Sequence, residues 1–489
     1  MRPRWQARAL LTLTAALLLA LGSSLPASAA SLVRISTDPY SNPESVHKTE
    51  VEPDTFAFGN TIVAAFQVGR IFNGGAANIG FATSSDGGKH WREGFLPGIT
   101  VVEGGKYDRA SDPVVAYDAR HGVWLISSLG IHVGGNPPAP VAVDVLVNRS
   151  TDGGRTWSGP VVVATGGFLD KNWTACDNTA SSPFYGHCYT EFDNNSQGDL
   201  IYMSTSSDGG AGWGPRRTTA DRAFGIGGQP LVQPDGRVVV PINGFTATGF
   251  TVLSFVSTDG GASWGSTVLV TTVQYHRPAG NVRASIPLPS GEIDRSGKVY
   301  LAWPDCRFES GCGANDLVLS TTTDGLTWSA VQRIPADAVG SGVDHFIVGL
   351  GVDPASTGTS AHLGLAYYFY PNAACTTDTC QLDVGFVAST DGGATWTTAT
   401  QLAGPMTLTW LPLTTQGYMV GDYISTSIVA GANKATPVFE VATPPSGSTL
   451  DEATYAASVP LGGTDTTAAR AGSRVGTASP RSGGIPSTF

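Results

Sequence analysis

A short segment of the form S/T-x-D-G-G-x-x-W recurs along the chain and constrains the fold more than any other feature. Five complete copies and one shortened copy begin at Ser84, Ser150, Ser206, Ser257, Ser389 and Thr322. Two adjacent glycines permit positive φ, and the Ser and Asp side chains hydrogen-bond nearby backbone amides, so each copy predicts a tight turn. We expect the Trp to tuck under the turn and to fill space between neighbouring sheets.

The spacing of the turns predicts the architecture. Their Asp residues are separated by 51 to 67 residues, a period that fits one four-stranded sheet per repeat. A radial arrangement of such sheets buries their faces and leaves only short edges, which predicts an all-β fold, a β-propeller of four-stranded blades. The 412 residues from 31 to 442, divided by a mean spacing of about 61, favour seven blades over six.

The two ends of the predicted propeller are expected to form one composite blade. Residues 417–443 read as two or three strands without a turn motif, and residues 31–37 read as the strand that normally follows one. Pairing these segments would close the ring and remove the last open edge. The propeller is therefore predicted over residues 31–443, and the Gly-, Ser-, Thr- and Ala-rich residues 444–489 are predicted to be a disordered tail.

The N-terminus and the cysteines predict an exported protein. Residues 1–30 combine a basic start, an apolar run and a small-residue end, which is typical of a secretory signal peptide. No later apolar run is long enough to predict a membrane span. The six cysteines fall into three pairs that are close in sequence, Cys176/Cys188, Cys306/Cys312 and Cys375/Cys380, which favours three local disulfides over a zinc site near His187.

Composition supports the all-β class and excludes one class of partner. The chain has 62 glycines, 31 prolines and only 14% charged residues, which is typical of many short strands and turns. The net charge of −11 opposes nucleic-acid binding, although a local basic pocket stays possible. We expect a monomer with no cofactor and no catalytic metal. Residues 193–199 imitate a calcium loop, but they occupy a hairpin position, so a plain turn is favoured.

The repeated turn resembles the Asp box, or BNR repeat, of the sialidase/neuraminidase superfamily. The resemblance implies a propeller that acts on a carbohydrate or glycoconjugate, with a glycoside hydrolase as the leading function and a non-catalytic carbohydrate- or protein-binding propeller as the alternative. It also implies an Arg in an R-I-P motif at the first inner strand, two further Arg residues, an Asp acid/base and a Tyr/Glu nucleophile pair. The first inner strand, expected within residues 52–66, contains no Arg.

An acidic residue followed by a basic one recurs near the start of four repeats, as in Asp170/Lys171 and Asp344/His345. Such pairs either tie neighbouring blades together or form a ring of cations that binds an anionic sugar, with one or two carboxylates acting as acid and base. The catalytic candidates are Asp112, Asp170, Asp305 and Tyr423. The ligand-binding candidates are Arg109, Lys171, Trp173, Arg222, His276, Arg283, Arg307 and His345.

Overall fold

The computed structural model describes residues 31–247 and 249–462. In that part of the chain, regular structure consists of β-strands and short 3-10 helices, so the all-β prediction is confirmed. The predicted signal peptide, residues 1–30, lies outside the described residues. The helices are Val101–Glu103, Asn195–Gln197, Ser310–Cys312, Gly358–Ser360 and Leu408–Trp410.

The strands follow one another in antiparallel sheets. The chain begins with β1 (Ser31–Arg34), and an eight-stranded sheet then holds β2 (Glu50–Phe58), β3 (Thr61–Arg70), β4 (Ala76–Ser84), β5 (Arg92–Phe95), β6 (Arg109–Asp118), β7 (Val123–Gly134), β8 (Ala139–Ser150) and β9 (Val161–Ala164). One pair, Ala76 opposite Ala110, joins its two halves of four strands.

The middle of the chain forms four further sheets. The first is three-stranded, with β10 (Leu169–Cys176), β11 (Cys188–Asn194) and β12 (Leu200–Ser206). The second holds β13 (Gly225–Ile226), β14 (Leu231–Val232), β15 (Val238–Thr246), β16 (Gly249–Ser257) and β17 (Val268–Val273). Two four-stranded sheets follow, with β18 (Ser290–Ile293), β19 (Val299–Asp305), β20 (Asp316–Thr322) and β21 (Gln332–Ile334), then β22 (Asp344–Val352), β23 (Leu363–Tyr370), β24 (Gln381–Ser389) and β25 (Thr400–Thr407).

The last sheet contains both ends of the described chain. After the short pair β26 (Leu413–Thr414) and β27 (Gly417–Tyr418), the strand order is β1, β30 (Glu452–Pro460), β29 (Lys434–Ala442) and β28 (Ser425–Ile428). Strand β30 lies inside the segment that was expected to be a disordered tail from residue 444, so that boundary requires correction. Small residues such as Ala456 pack against Ile35 and Val438, which lets a segment poor in large apolar side chains still be buried. Residues 463–489 lie outside the described residues.

Seven strands pack against one another around a common centre; these strands, β2, β6, β10, β14, β18, β22 and β28, are called the first strands. Strand β2 contacts β6, β6 contacts β10, β18 contacts β22, β22 contacts β28, and β28 contacts β2. Strand β14 contacts both β10 and β18, which completes the sequence of contacts. This arrangement of small antiparallel sheets fits a β-propeller.

The repeated turns have the hydrogen bonds that the motif predicts. In the copy at Ser150, the Ser Oγ donates to Asp152 Oδ1 at 2.8 Å and accepts from Gly154 N at 3.0 Å. Trp157 Nε1 donates to Gly154 O at 3.2 Å, and its ring is buried against Phe81. In the shortened copy the Gly that bonds the first residue comes one position earlier, so this turn is tighter, as expected.

The three predicted disulfides are present. Cys176 pairs with Cys188, Cys306 with Cys312, and Cys375 with Cys380, each across at most 12 residues. Because every bridge is local, each one fixes a single hairpin or loop rather than joining distant sheets.

Candidate functional site

Four first strands, β2, β6, β10 and β22, carry the same irregularity near their start; in β22 the bulged residue is Ile347, with a φ of 49°, and in the other three it is a charged residue. A β-bulge interrupts the pairing of β2, β6 and β10, and one residue in each bulge has a positive φ: Glu52, Asp112 and Lys171, at 55°, 49° and 46°. A bulge re-aims a side chain, and a positive φ costs a non-glycine residue roughly 1 kcal/mol or more. These three side chains meet, and their mutual contacts offset that strain.

Lys171 is the centre of the cluster. Its Nζ lies 2.6 Å from Asp422 Oδ2, 3.2 Å from Asp112 Oδ2 and 3.4 Å from Glu52 Oε1. The Lys171 side chain is only 8% exposed. Three carboxyl groups from separate parts of the sequence therefore surround one buried ammonium, which compensates charges that would be costly to bury alone.

A second cation binds the same carboxylate. Arg283 Nε donates to Asp422 Oδ1 at 2.7 Å and Nη2 donates to Oδ2 at 2.5 Å, a bidentate pair. Arg283 Nη2 also lies 4.0 Å from Glu52 Oε1. Asp422 is thus fixed by two cations at once. We call Glu52, Asp112, Lys171, Arg283 and Asp422 the axial cluster.

A third cation contacts the axial cluster through an amide. Gln67 Nε2 donates to Glu52 Oε2, and Gln67 Oε1 accepts from Arg70 Nη1 at 2.8 Å. Burial, together with the nearby Arg283, lowers the pKa of Arg70 to about 10. Gln67 therefore orients Glu52 and at the same time accepts one hydrogen bond from a buried guanidinium.

The surroundings of Glu52 and Asp422 shift the pKa values of these two carboxyl groups in opposite directions. Burial raises the pKa of Glu52 to about 8, and the adjacent Asp112 adds to this shift. Burial also opposes ionisation of Asp422, but Arg283 and Lys171 outweigh it and hold the Asp422 pKa well below its ordinary value. Two carboxyl groups on one ammonium, one protonated and one ionised at neutral pH, have the electronic arrangement of an acid and a base.

Tyr423 and Trp173 cover the cluster. The Tyr423 ring centroid lies 5.3 Å from Lys171 Nζ, and the Trp173 ring meets it edge to face at 5.3 Å. Tyr423 donates its hydroxyl hydrogen bond to Pro113 O at 3.1 Å, and burial raises the pKa of this hydroxyl well above its usual value. A small cavity beside these rings is also lined by Lys171 and Asp422.

Asp170 lies at the edge of the cluster. Its carboxylate accepts from Lys171 N at 2.9 Å, and the residue faces Asp193 across the sheet. Burial raises the pKa of Asp170 to about 6, with Asp112 contributing. The structure therefore brings together Asp112, Lys171, Arg283 and Tyr423 from the predicted set, with Asp170 and Trp173 adjoining them.

The other predicted residues have partners elsewhere. Arg109 donates to Asn73 Oδ1 and Gly74 O, and the exposed Arg222 belongs to a turn with a bond to Thr219 O. These two cations do not join Lys171 and Arg283, so the expected ring of cations is reduced to a pair. An acidic residue followed by a basic one in sequence does not reveal which neighbouring loop each of the two side chains meets.

Four further candidates form local pairs. Arg307 Nη2 lies 2.6 Å from Asp305 Oδ2, two residues away, which fixes the loop closed by Cys306 and Cys312. His276 Nδ1 lies 3.0 Å from Asp344 Oδ2, and this hydrogen bond raises the His276 pKa. His345 is buried, with Nδ1 at 2.8 Å from Asn315 O, and burial lowers its pKa. These contacts support loop-fixing and packing roles.

Sequence reasoning missed Glu52 and Asp422, although one signal for Glu52 was present. The start of β2 reads Glu52-Pro53 and the start of β6 reads Asp112-Pro113, so an acid followed by proline marks the bulge in both. Asp422 precedes β28 without an equivalent pattern. In residues 31–247 and 249–462, no three His, Cys, Asp or Glu side chains form a group suited to a metal ion, and no helix there is long and apolar enough to span a membrane.

Comparison with known proteins gives consistent similarities. Residues 142–351 match the BNR repeat-like domain family. A sialidase from Micromonospora viridifaciens is 30% identical over 217 residues, an alignment that covers 37% of this chain and 30% of that protein. The resemblance to the sialidase superfamily inferred from the repeated turns is confirmed.

Among solved structures, the matches include two glycosidases at TM-scores below 0.5. The Hadza microbial sialidase Hz136 has a TM-score of 0.45 at 15% identity, covering 85% of this chain and 66% of its own. The α-L-arabinofuranosidase Arb93A from Fusarium graminearum has a TM-score of 0.45 at 15% identity, covering 73% of this chain and 97% of its own.

Proposed function

We propose that this chain, which resembles the BNR-repeat proteins of the sialidase superfamily, is a glycan-acting hydrolase whose chemistry takes place at the axial cluster. The observation that carries the proposal is the contact of Glu52 and Asp422 with one ammonium, Lys171, while their pKa values are driven apart. Glycoside hydrolysis needs a protonated acid for the leaving oxygen and an ionised group on the other side of the sugar carbon. Glu52 supplies the first and Asp422 the second.

The remaining groups of the cluster have supporting roles in this proposal. Lys171 and Arg283 keep Asp422 ionised, and Asp112 raises the Glu52 pKa through its negative charge. Tyr423 is the nucleophile candidate that the superfamily resemblance implies, but its hydroxyl is bonded to Pro113 O, so the ionised Asp422 takes that side of the sugar carbon in this proposal.

The ion pairs that Asp422 makes with Arg283 and Lys171 indicate the charge of the sugar that the cluster can accept. An anionic sugar would have to compete with Asp422 for Arg283 and Lys171, because Asp422 already binds both. A neutral glycan needs no such displacement. The cluster therefore favours a neutral sugar over the anionic sugar expected from the predicted ring of cations.

The proposed enzyme is a secreted propeller of seven blades closed by its terminal strands. The seven first strands, β2, β6, β10, β14, β18, β22 and β28, contact one another in cyclic order, and β1 pairs with β30 in the last sheet. Three disulfides support folding in an oxidising compartment. The signal-peptide pattern in residues 1–30 supports export.

One observation favours the alternative, a non-catalytic propeller that binds carbohydrate or another protein. Both cations of the axial cluster are paired with carboxylates, and Lys171 and Glu52 are 8% and 1% exposed at their side chains. Such a cluster can serve only to hold the first strands together.

A hydrolysis screen separates the two functions. The purified chain is incubated with a panel of neutral, sialylated and sulfated oligosaccharides, and its binding is measured on a glycan array. We expect turnover of a neutral glycan that disappears in Glu52→Gln and Asp422→Asn but persists in Glu93→Gln, which removes an exposed carboxylate. Binding without turnover across the whole panel would establish the binding function instead.

A further inference from the structure

A wide channel runs along the second halves of the first strands, away from the axial cluster. Its volume is about 570 Å³, within the range of small-molecule sites. It opens on the side of the first hairpins and the repeated turns, which touch one another there: Gln233 Nε2 donates to Thr323 O at 2.9 Å. Trp173 and Gln229 line both this channel and the small cavity at the cluster, so they separate the two.

Three carboxyl groups line the channel, and two of them, those of Asp54 and Glu292, lack a matching cation in the described residues. Asp54 and Glu292 line it from β2 and β18. In the described residues, neither carboxylate has a Lys, Arg or His within ion-pair distance. Arg295 is the sole basic residue among those that line the channel, and it is exposed in a hairpin turn at the mouth. The interior therefore carries uncompensated negative charge whenever these groups ionise.

Burial acts on both groups, and the negative charge of Asp54 acts on Glu292 as well. Burial raises the pKa of Glu292 to about 8, with Asp54 contributing, and burial raises the pKa of Asp54 to about 7 although Val115 N donates to it at 2.7 Å. The other titratable residues on the channel wall are Tyr117, Asp294 and Arg295. Asp294 is occupied by hydrogen bonds from Ser296, Lys298 and Gly358.

Aromatic rings form part of the wall near one of these carboxyls. Phe56 and Phe58 follow Asp54 on β2, and the Phe58 ring lies 4.3 Å from that of Tyr117. Phe58 is 42% exposed, so part of its ring is accessible to a ligand. Aromatic faces attract organic cations, and the attraction is stronger where water is displaced.

We propose that this channel is a binding site for an organic cation with an apolar body, such as an alkyl- or arylammonium group, held by Glu292 and Asp54 and by the aromatic wall. The site lies outside the axial cluster and does not depend on glycan hydrolysis. A cation is favoured over a neutral sugar because it is the ligand that compensates two carboxylates lining the same channel. An anion is excluded by the same charge.

The experiment is calorimetric titration of the purified full chain with benzyltrimethylammonium chloride, with benzyl alcohol as the neutral control and benzoate as the anionic one. We expect the ammonium to bind more tightly than benzyl alcohol, and benzoate not to bind. Affinity rises as pH increases from 6 to 9, because the carboxyl groups lose their protons over this window. At pH 7 binding releases protons, which is measured as a dependence of the heat on the ionisation enthalpy of the buffer.

Variants locate the site. Glu292→Gln should raise the Kd of the ammonium at least tenfold at pH 9 and much less at pH 6, where Glu292 is already neutral. Asp54→Asn is the second variant, and Glu93→Gln, which lies outside the channel, should bind like the parent. Equal affinity of the folded Glu292→Gln protein and the parent at pH 9 would overturn the proposal. Equal or tighter binding of benzyl alcohol, or no binding of the ammonium at millimolar concentration, would also overturn it.

Discussion

Lys171 Nζ lies 2.6 Å from Asp422 Oδ2, and this contact joins residues 251 positions apart in the sequence. Lys171 lies near the start of β10, and Asp422 lies three residues before β28. The ion pair therefore forms only when the chain has brought distant sheets to a common centre. The packing of the first strands and the protonation of the candidate catalytic groups therefore depend on the same ammonium, that of Lys171.

Lys171→Met should destabilise the protein strongly. The substitution keeps much of the side-chain volume but leaves three carboxyl groups without their shared cation, and removal of one partner from a buried ion pair typically costs about 3–5 kcal/mol. Urea unfolding measures the loss. Lys434→Met, at an exposed lysine, should change the unfolding free energy by less than about 0.5 kcal/mol. A Lys171→Met protein that unfolds at the parent's urea concentration would show that the cluster contributes little to stability.

The rate of the proposed hydrolysis should decrease in alkaline solution. Glu52 is the proton donor only while it keeps its proton, and its pKa is raised to about 8. The rate constant kcat/KM should therefore fall about tenfold per pH unit above this pKa. Asp422 stays ionised over the whole range, because Arg283 and Lys171 lower its pKa. A kcat/KM that stays constant well above pH 8 would remove Glu52 from the role of acid.

Much of the fold was predictable because it repeats. Each turn motif satisfies its own hydrogen bonds within a few residues, so it could be read from the sequence without knowledge of distant contacts. The three disulfides were predictable for the same reason. Strand β30 was not, because small residues such as Ala456 give a weak strand signal and are buried only by contact with Ile35 and the β29 residue Val438.

The axial cluster was predictable only in part, because its members come together through bulges. Asp112 and Lys171 were found from their position near the start of a repeat. Glu52 occupies the same position in β2, but its partner Gln67 lies on the next strand and Asp422 lies 370 residues away. The local sequence shows that a charged residue lies near the start of a strand. The residue that it contacts depends on the bulge and on how the neighbouring sheets pack.

Trp157→Ala should cost about 3–5 kcal/mol, because the ring is buried against Phe81 and its removal leaves a cavity between sheets. Trp91 occupies the same position in another turn but is only half-buried, so Trp91→Ala is the matched control with a smaller expected loss. Thermal or urea unfolding measures both. Glycan binding should persist in folded Trp157→Ala protein, and loss of binding with unchanged stability would contradict the structural role of the turns.

The last prediction concerns three glutamates buried between the first and last sheets. Glu50, Glu440 and Glu452 are each fully buried. In the described part of the chain, neither carboxyl oxygen of Glu452 has a hydrogen-bond partner. Burial raises the pKa of Glu50 from 4.5 to about 8, and burial raises the pKa values of Glu440 and Glu452 well above the same starting value.

The sign of the pH effect follows from these shifts. Between pH 4.5 and about 8 the unfolded chain releases protons that the folded chain keeps, so the free energy of unfolding falls as pH rises, by up to about 1.4 kcal/mol per pH unit for each such group. Glu452→Gln cannot ionise, so its unfolding free energy should decline less steeply and exceed that of the parent at alkaline pH. Glu93→Gln should follow the parent's slope. Urea unfolding across this range tests the prediction, and parallel curves for Glu452→Gln and the parent would show that Glu452 ionises as readily in the folded protein as in the unfolded chain.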